Sequence, residues 1–306
     1  MPSVQKTSRE FVFKPGWVSI FPLLLIFLSC ATVQPVEGAR GPLESFGIEA
    51  VRPQWQPFKE GAGYFHGKTV KPHIEFWALQ IDLFAPEINI VVKGGAMDRG
   101  LTLSTRTSSF VRGNSLAAGI NSVPFDVVSS KEGRPITNIG IVISGGELIA
   151  PANPAYDALI FYADGRAAVV SQAGIHSAEN IENAAGGFHI ILIDGQPAER
   201  TLNLETRHPR SAAGISANGR YLYLLVIDGR RPGSIGATEK ETALLLRSLG
   251  STDGINLDGG GSSALALRYP DGKVRTANTP IHGGIPGKER AVAGCIGIAV
   301  NPSTEK

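Results

Sequence analysis

Along residues 74–93 the chain reads IEFWALQIDLFAPEINIVVK, with apolar and polar positions alternating. That period predicts strands with one buried face. Leu101–Asn114, LTLSTRTSSFVRGN, predicts a short helix stopped by Gly113, and SLAAGINSVPFD then reads as a small-residue strand entering a polar turn. Farther on, the pairs Asp164–Gly165, Asp194–Gly195, Asn218–Gly219, Asp228–Gly229 and Asp271–Gly272 separate apolar runs. Such pairs accept the backbone of tight hairpins, so ALIFYADGRAAVV, SAAGISANGRYLYLLVID and ALALRYPDGKVRTA each read as two strands about a turn. One helix is sharply specified. Thr238 and Glu241 form a capping box, Ala243–Leu249 supply an apolar face, and Gly250 ends it. The pattern predicts an α+β fold: a mostly antiparallel β-sheet with a few helices, in a single compact domain. It lacks the regular strand–helix alternation of a parallel nucleotide-binding fold.

The first forty residues are a different material. Lys6, Arg9 and Lys14 precede WVSIFPLLLIFLSCATV, a run of signal-peptide length interrupted by Pro22. Residues 1–39 are therefore expected to be an export leader, cleaved near Ser29–Ala31 or Val36–Ala39. An uncleaved anchor, or lipidation of Cys30, are the alternatives; contact with a membrane is expected only through this leader. Residues 40–73 read as a Pro- and Gly-rich linker and lead-in, and residues 74–302 as the functional domain. The expected location is outside the cytoplasm: periplasmic, secreted or envelope-associated. Cleavage leaves Cys295 as the lone thiol, in the apolar run AVAGCIGIAV, which excludes a disulfide framework and a cysteine zinc site. With 18% charged residues, a net charge of +2 and no basic stripe, the chain gives no sign of a nucleic-acid partner.

The stretch NLDGGGSSAL sets three consecutive glycines after an aspartate at the end of an apolar run. Glycine raises the entropic cost of folding and packs nothing, so bare backbone must be needed there. Gly259, Gly260 and Gly261 can form a concave nest whose N–H groups meet an anion, with Ser262 and Ser263 adding hydroxyls. Asp258 would act on hydroxyls, a proton or a metal, since it repels phosphate. In TRHPRSAAGIS, Arg210 adjoins a strand start and suits two-pronged recognition of phosphate or carboxylate. In LLVIDGRRPGSIGAT, Asp228 ends an apolar strand and is followed by Arg230 and a Gly-rich loop into the capped helix. Asn121 in GINSVPFD suits a sugar hydroxyl and Phe125 a sugar face; an Asx-turn with a packed aromatic is the competing reading. Arg290, just before the last apolar run, offers a second phosphate contact. Six dispersed histidines form no HxH or HExxH pair, and the dinucleotide fingerprint, nucleophile elbow and P-loop are absent from the sequence. Nothing requires a cofactor. A hard divalent cation, if used, would take oxygen ligands from Asp126, Asp228 and Asp258.

Taken in order, INSVPFD, HPRSAAGIS, VIDGR and GINLDGGGSSAL, closed by ERAVAGCIGIAV, resemble the phosphodiester glycosidase family over roughly residues 74–300. The resemblance implies hydrolysis of a sugar-1-phosphodiester, with an N-acetylglucosamine-like sugar and a phosphate monoester leaving. It places Asn121, Arg210, Asp228, Asp258 and the Gly259–Ser263 loop around the pocket; Asp258 and Asp228 are the candidate catalytic carboxylates, base or nucleophile according to their separation. Many members carry NGGFF where this chain has NSVPFD, which leaves the sugar open. A leaving phosphate is a weak base, so such a site needs anion-holding donors and a carboxylate more than a strong acid. Two rival readings stand beside it. One is a hydrolase of ordinary glycosides; the other is a non-catalytic carbohydrate- or sugar-phosphate-binding protein of envelope or exopolysaccharide assembly.

Overall fold

A computed structural model describes residues 43–98 and 100–301. The expected leader and Cys30 lie outside the described residues. The central element is a nine-stranded sheet. Its order is Leu43–Ser45, Ala62–Thr69, Ile74–Asp82, Tyr221–Ile227, Arg210–Ile215, Asp253–Asn256, His189–Ile193 and Gln196–Pro197, with Gln56–Lys59 paired beside Ala62–Thr69. Apart from the first, parallel pair, every ladder in it is antiparallel.

Why this sheet reads as nearly continuous apolar sequence is clear from its two faces. In Tyr221–Ile227, Leu222, Leu224 and Val226 enter one core while Tyr223, Leu225 and Ile227 enter another. The first core is closed by two five-stranded sheets, through Ile120, Leu265, Leu267 and Ile296 of one and Val142, Leu159 and Ala185 of the other. The second is closed by helix α2 (Glu239–Leu249), whose Leu245, Leu246 and Leu249 are buried against the sheet. Each such leucine contributes about 1.5–3 kcal/mol by leaving water. Two-sided cover also corrects one expectation: Ile74–Asp82 is buried on both faces rather than one, with Phe76 and Ala78 opposite Trp77 and Leu79.

Among the described residues α-helices are few, as predicted: α1 (Thr107–Gly113) and α2 (Glu239–Leu249). In α2 the Thr238 Oγ1 accepts from the Glu241 amide at 3.1 Å and the Glu241 carboxylate accepts from the Thr238 amide at 2.9 Å. Gly250 ends the helix at φ 118°. The start of α1 falls later than the pattern suggests, because Leu101–Leu103 pairs with Pro135–Thr137 as a strand. The Asp-Gly and Asn-Gly turns at 164, 194, 218 and 271 connect antiparallel neighbours. Asp228–Gly229 instead opens the loop into α2. The described part of the expected lead-in, 43–73, is folded: Ala62–Thr69 pairs along its whole length with Ile74–Asp82. Its Gly and Pro content hid that strand.

Candidate active site

Antiparallel order brings three strand ends to one edge of the large sheet. Asn256, the last residue of its strand, sits opposite His189 on one side and Ala212 on the other, and Arg210 begins the Ala212 strand. The aspartate–glycine loop follows Asn256 directly, and α2 begins beside it with Glu239. His189, Arg210, Glu239, Asn256 and the Asp258–Gly261 segment, together with Arg230, Arg290, Phe188 and His208, line a cleft of about 370 Å³.

Two carboxylates in this cleft each have an oxygen without a hydrogen bond. Asp258 has a buried Oδ2 without a hydrogen-bond partner, and Glu239 a buried Oε2 in the same condition. Buried unpaired polar atoms are costly and rare, so they mark places where a ligand completes the bonding. Burial pushes the Asp258 carboxyl up to about 6, against the opposing pull of Ser262, Arg290 and the Gly259 amide. Glu239 is held opposite the buried Arg210, whose Nη1 lies 3.6 Å from its Oε1. Two further orphans, Asn256 Oδ1 and His189 Nδ1, line the same cleft.

The glycine loop is built differently from the expected anion nest. The amide of Gly260 donates to the Pro209 carbonyl at 2.8 Å, and those of Ser262 and Ser263 donate to Gly259 and Gly260 at 3.2 and 3.3 Å. The Gly259 amide is engaged by Asp258. What the glycines leave room for is guanidinium. A Cβ on Gly260 would come 3.3 Å from Arg230 Nη2, and one on Gly261 only 2.5 Å from Arg290 Nη2. Arg290 also donates from Nη1 to Ser262 Oγ at 3.1 Å, and that hydroxyl bonds Asp258. Arg230 and Arg290 thus bring side-chain donors to the loop.

Several expected site residues have other duties. Asn121 is fully buried and does not line the cleft: its Nδ2 donates to the Asp258 carbonyl at 2.6 Å, and its Oδ1 accepts from Ser211 Oγ and the Ala264 amide at 2.7 and 3.1 Å. Its carboxamide holds the glycine loop from within and, fully buried, does not face a sugar hydroxyl. Asp228 is 1% exposed and is likewise absent from the cleft wall. Arg231, Asn278 and the Thr279 amide occupy both its oxygens, at 2.7–3.2 Å. Asn278 in turn donates to the Ser263 carbonyl at 3.1 Å and accepts from the Leu265 amide at 2.9 Å. Asp228 thus braces the loop from behind; its saturated carboxylate is unsuited to catalysis. Ser263 is buried and outside the cleft lining, and Phe125 packs into the α1 core instead of facing a sugar. Asp126 accepts from the Thr137 amide at 2.9 Å. Among the described residues no three His, Cys, Asp or Glu side chains group as metal ligands.

Arg210, Arg230, Gly259, Gly260, Gly261, Asp258 and Arg290 do converge. Sequence reasoning missed Glu239, His189, Asn256 and Phe188. An acid in the first helical turn is ordinarily read as a partner for the helix dipole. Nothing local marks Glu239 as a cleft residue, and only the strand register brings His189 to Asn256.

Two carboxylates, Asp258 and Glu239, thus share one cleft with the guanidiniums of Arg210, Arg230 and Arg290. The chain belongs to the phosphodiester glycosidase family, a family of glycosidase-type hydrolases, whose model matches residues 114–299. No curated protein matches its sequence. Among solved structures, the zebrafish N-acetylglucosamine-1-phosphodiester alpha-N-acetylglucosaminidase catalytic domain, auto-inhibited by its pro-peptide, superposes with a TM-score of 0.60 at 18% identity, over 88% of this chain and 97% of that one. A hypothetical protein from Synechocystis gives 0.61 at 15% identity over 82% of this chain, which spans 65% of the Synechocystis protein. Both share the fold.

Proposed function

We propose that the protein is an exported hydrolase that cleaves the glycosidic bond of a sugar-1-phosphodiester, releasing a free, N-acetylglucosamine-like sugar and a phosphate monoester. The observation that carries this reading is the pair Asp258 and Glu239, each with a buried unbonded oxygen, in one cleft with Arg230 and Arg290. The arginines hold the phosphate and take up the charge that grows on it as the bond to the anomeric carbon breaks. A carboxyl poised near 6 is suited to accept a proton at neutral pH, so Asp258 is assigned to activating water. Glu239, fixed by Arg210, faces the positive charge developing on the sugar ring. The Phe188 ring at the cleft wall offers an apolar platform for the sugar.

The test is release of free sugar from UDP-N-acetylglucosamine or an N-acetylglucosamine-1-phosphate diester, compared with Asp258→Asn and Glu239→Gln. Turnover lost in both folded variants supports the reading. Binding of sugar phosphates without any turnover by the wild type would replace it with the binding-protein reading, and turnover of phosphate-free glycosides with the ordinary-glycosidase reading.

A further inference from the structure

The two arginines that flank the glycine loop share a feature that neither family membership nor the carboxylates explain. Arg230 donates from Nη2 to His208 Nδ1 at 3.0 Å. Arg290 donates from Nε to His282 Nδ1 at 3.2 Å. The couples come from unrelated segments: His208 precedes the strand Arg210–Ile215, and His282 lies in the loop before Arg290. Both bonds use the same ring nitrogen as acceptor, which requires that nitrogen to be unprotonated. The surroundings favour that state. Burial, then Arg210 and Arg230, holds His208 below its ordinary range against the pull of Glu239. Burial, then Arg290 and Lys288, does the same for His282.

An arginine side chain is long and flexible, and Arg230 is exposed. Its backbone is in the left-handed region at φ 58°, and the Gly260 position leaves the guanidinium space without gripping it. Burial destabilises the Arg290 charge, Asp258 opposes that, and the nearby Arg230 adds a smaller repulsion. Two mutually repelling guanidiniums beside one glycine loop are kept in place by the bonds each makes, and an anion between them relieves the repulsion.

We propose that His208 and His282 are positioning residues that hold Arg230 and Arg290 as a preformed clamp for the anionic group of the substrate. Their part is to fix direction: each imidazole takes one N–H of its arginine, so the remaining N–H groups are aimed before the ligand arrives. The proposal rests on the phosphodiester reading for what the clamp holds in use, but the clamp can be tested without turnover.

Inorganic sulfate is the probe, because its charge is constant from pH 5 to 8. Calorimetric titration of the full chain at pH 7.5 compares wild type with His208→Leu, His282→Leu, His208→Asn and His282→Asn. Asparagine can present its Oδ1 near the place of Nδ1, whereas leucine fills the space and accepts nothing. Each leucine variant should weaken sulfate about fivefold, the loss of one hydrogen bond, with the double variant weaker still. The asparagine variants should recover most of that loss. Melting temperatures should barely move, since both histidines are partly exposed. The proposal fails if leucine variants bind sulfate as wild type does, if asparagine is as damaging as leucine, or if wild type does not bind millimolar sulfate at all. Sulfate binding that follows this pattern in a protein that turns over no sugar phosphodiester would sink the hydrolase reading and leave the clamp standing.

Discussion

Two strand-end Asp-Gly sites, VIDGR at Asp228 and NLDGGG at Asp258, look interchangeable as text. Both aspartates end an apolar strand, both are followed by glycine, and burial pushes both carboxyls above their ordinary range. Their surroundings differ completely. Asp228 is sealed behind the glycine loop, with Arg231, Asn278 and Thr279 on its two oxygens and Arg231 shared onward with Glu75. Asp258 opens on a cleft, with one oxygen bonded to nothing. A carboxylate with all its hydrogen bonds made braces a structure; one that lines a cleft with a bond unmade can do chemistry. Burial alone does not separate the two roles, and neither does the local motif.

The sharpest way to break the comparison is to neutralise each aspartate in turn. Asp258→Asn should lower turnover about a thousandfold, the weight of a general base. Asp228→Asn should keep measurable turnover but lower the urea midpoint. Its new amide would turn an N–H against the Arg231 guanidinium, a loss of about 1–3 kcal/mol. Equal catalytic damage from both would mean that the two sites are not distinct.

Next in size is an opposite effect on stability. The Asp258 carboxyl titrates higher folded than unfolded, so the folded state binds its proton more tightly. Its ionisation therefore costs nothing below pH 4 and destabilises progressively as pH rises through about 6. At pH 8, Asp258→Asn should recover up to about 2–3 kcal/mol, seen as a raised melting temperature, while at pH 4 the gain should vanish. Turnover has the reverse dependence: it needs the anion, so the acid limb of kcat should fall as pH drops through about 6. A limb near the ordinary carboxylate value would remove Asp258 from the role of base.

Replacing the arginines sharpens the anion side of the cleft. Arg290→Ala should cost about 10–100-fold in kcat/KM, the range of a lost charged hydrogen bond, and Arg230→Ala, more exposed, somewhat less. The smallest effects separate two glycines. Gly261→Ala puts a methyl group 2.5 Å from Arg290 Nη2 and should lower activity by moving the guanidinium, with little change in melting temperature. Gly272→Ala, in a hairpin at φ 77° with open space around it, should cost about 1 kcal/mol of stability and no activity. If Gly261→Ala instead behaves like Gly272→Ala, the loop is merely a turn.

The sequence by itself determined a good deal. Hairpins at 164, 194, 218 and 271, the capped helix α2 and the antiparallel character of the fold follow from turn and capping chemistry, which acts within a few residues. The family was legible in the order of five short motifs, and Asp258, Arg210, Arg230 and Arg290 were picked as site residues from residue type beside a strand end. Tertiary structure decided the rest. Whether Asp228 or Asn121 faces substrate depends on which distant groups, 50 to 143 residues away, take their hydrogen bonds. Glu239 becomes a cleft residue only because α2 packs beside the end of the Asn256 strand. The glycines proved to make room for guanidiniums that arrive from two other loops. Local chemistry fixes turns and caps because its partners are neighbours in the chain; a site is a meeting of strangers, and only the packed sheet says who meets.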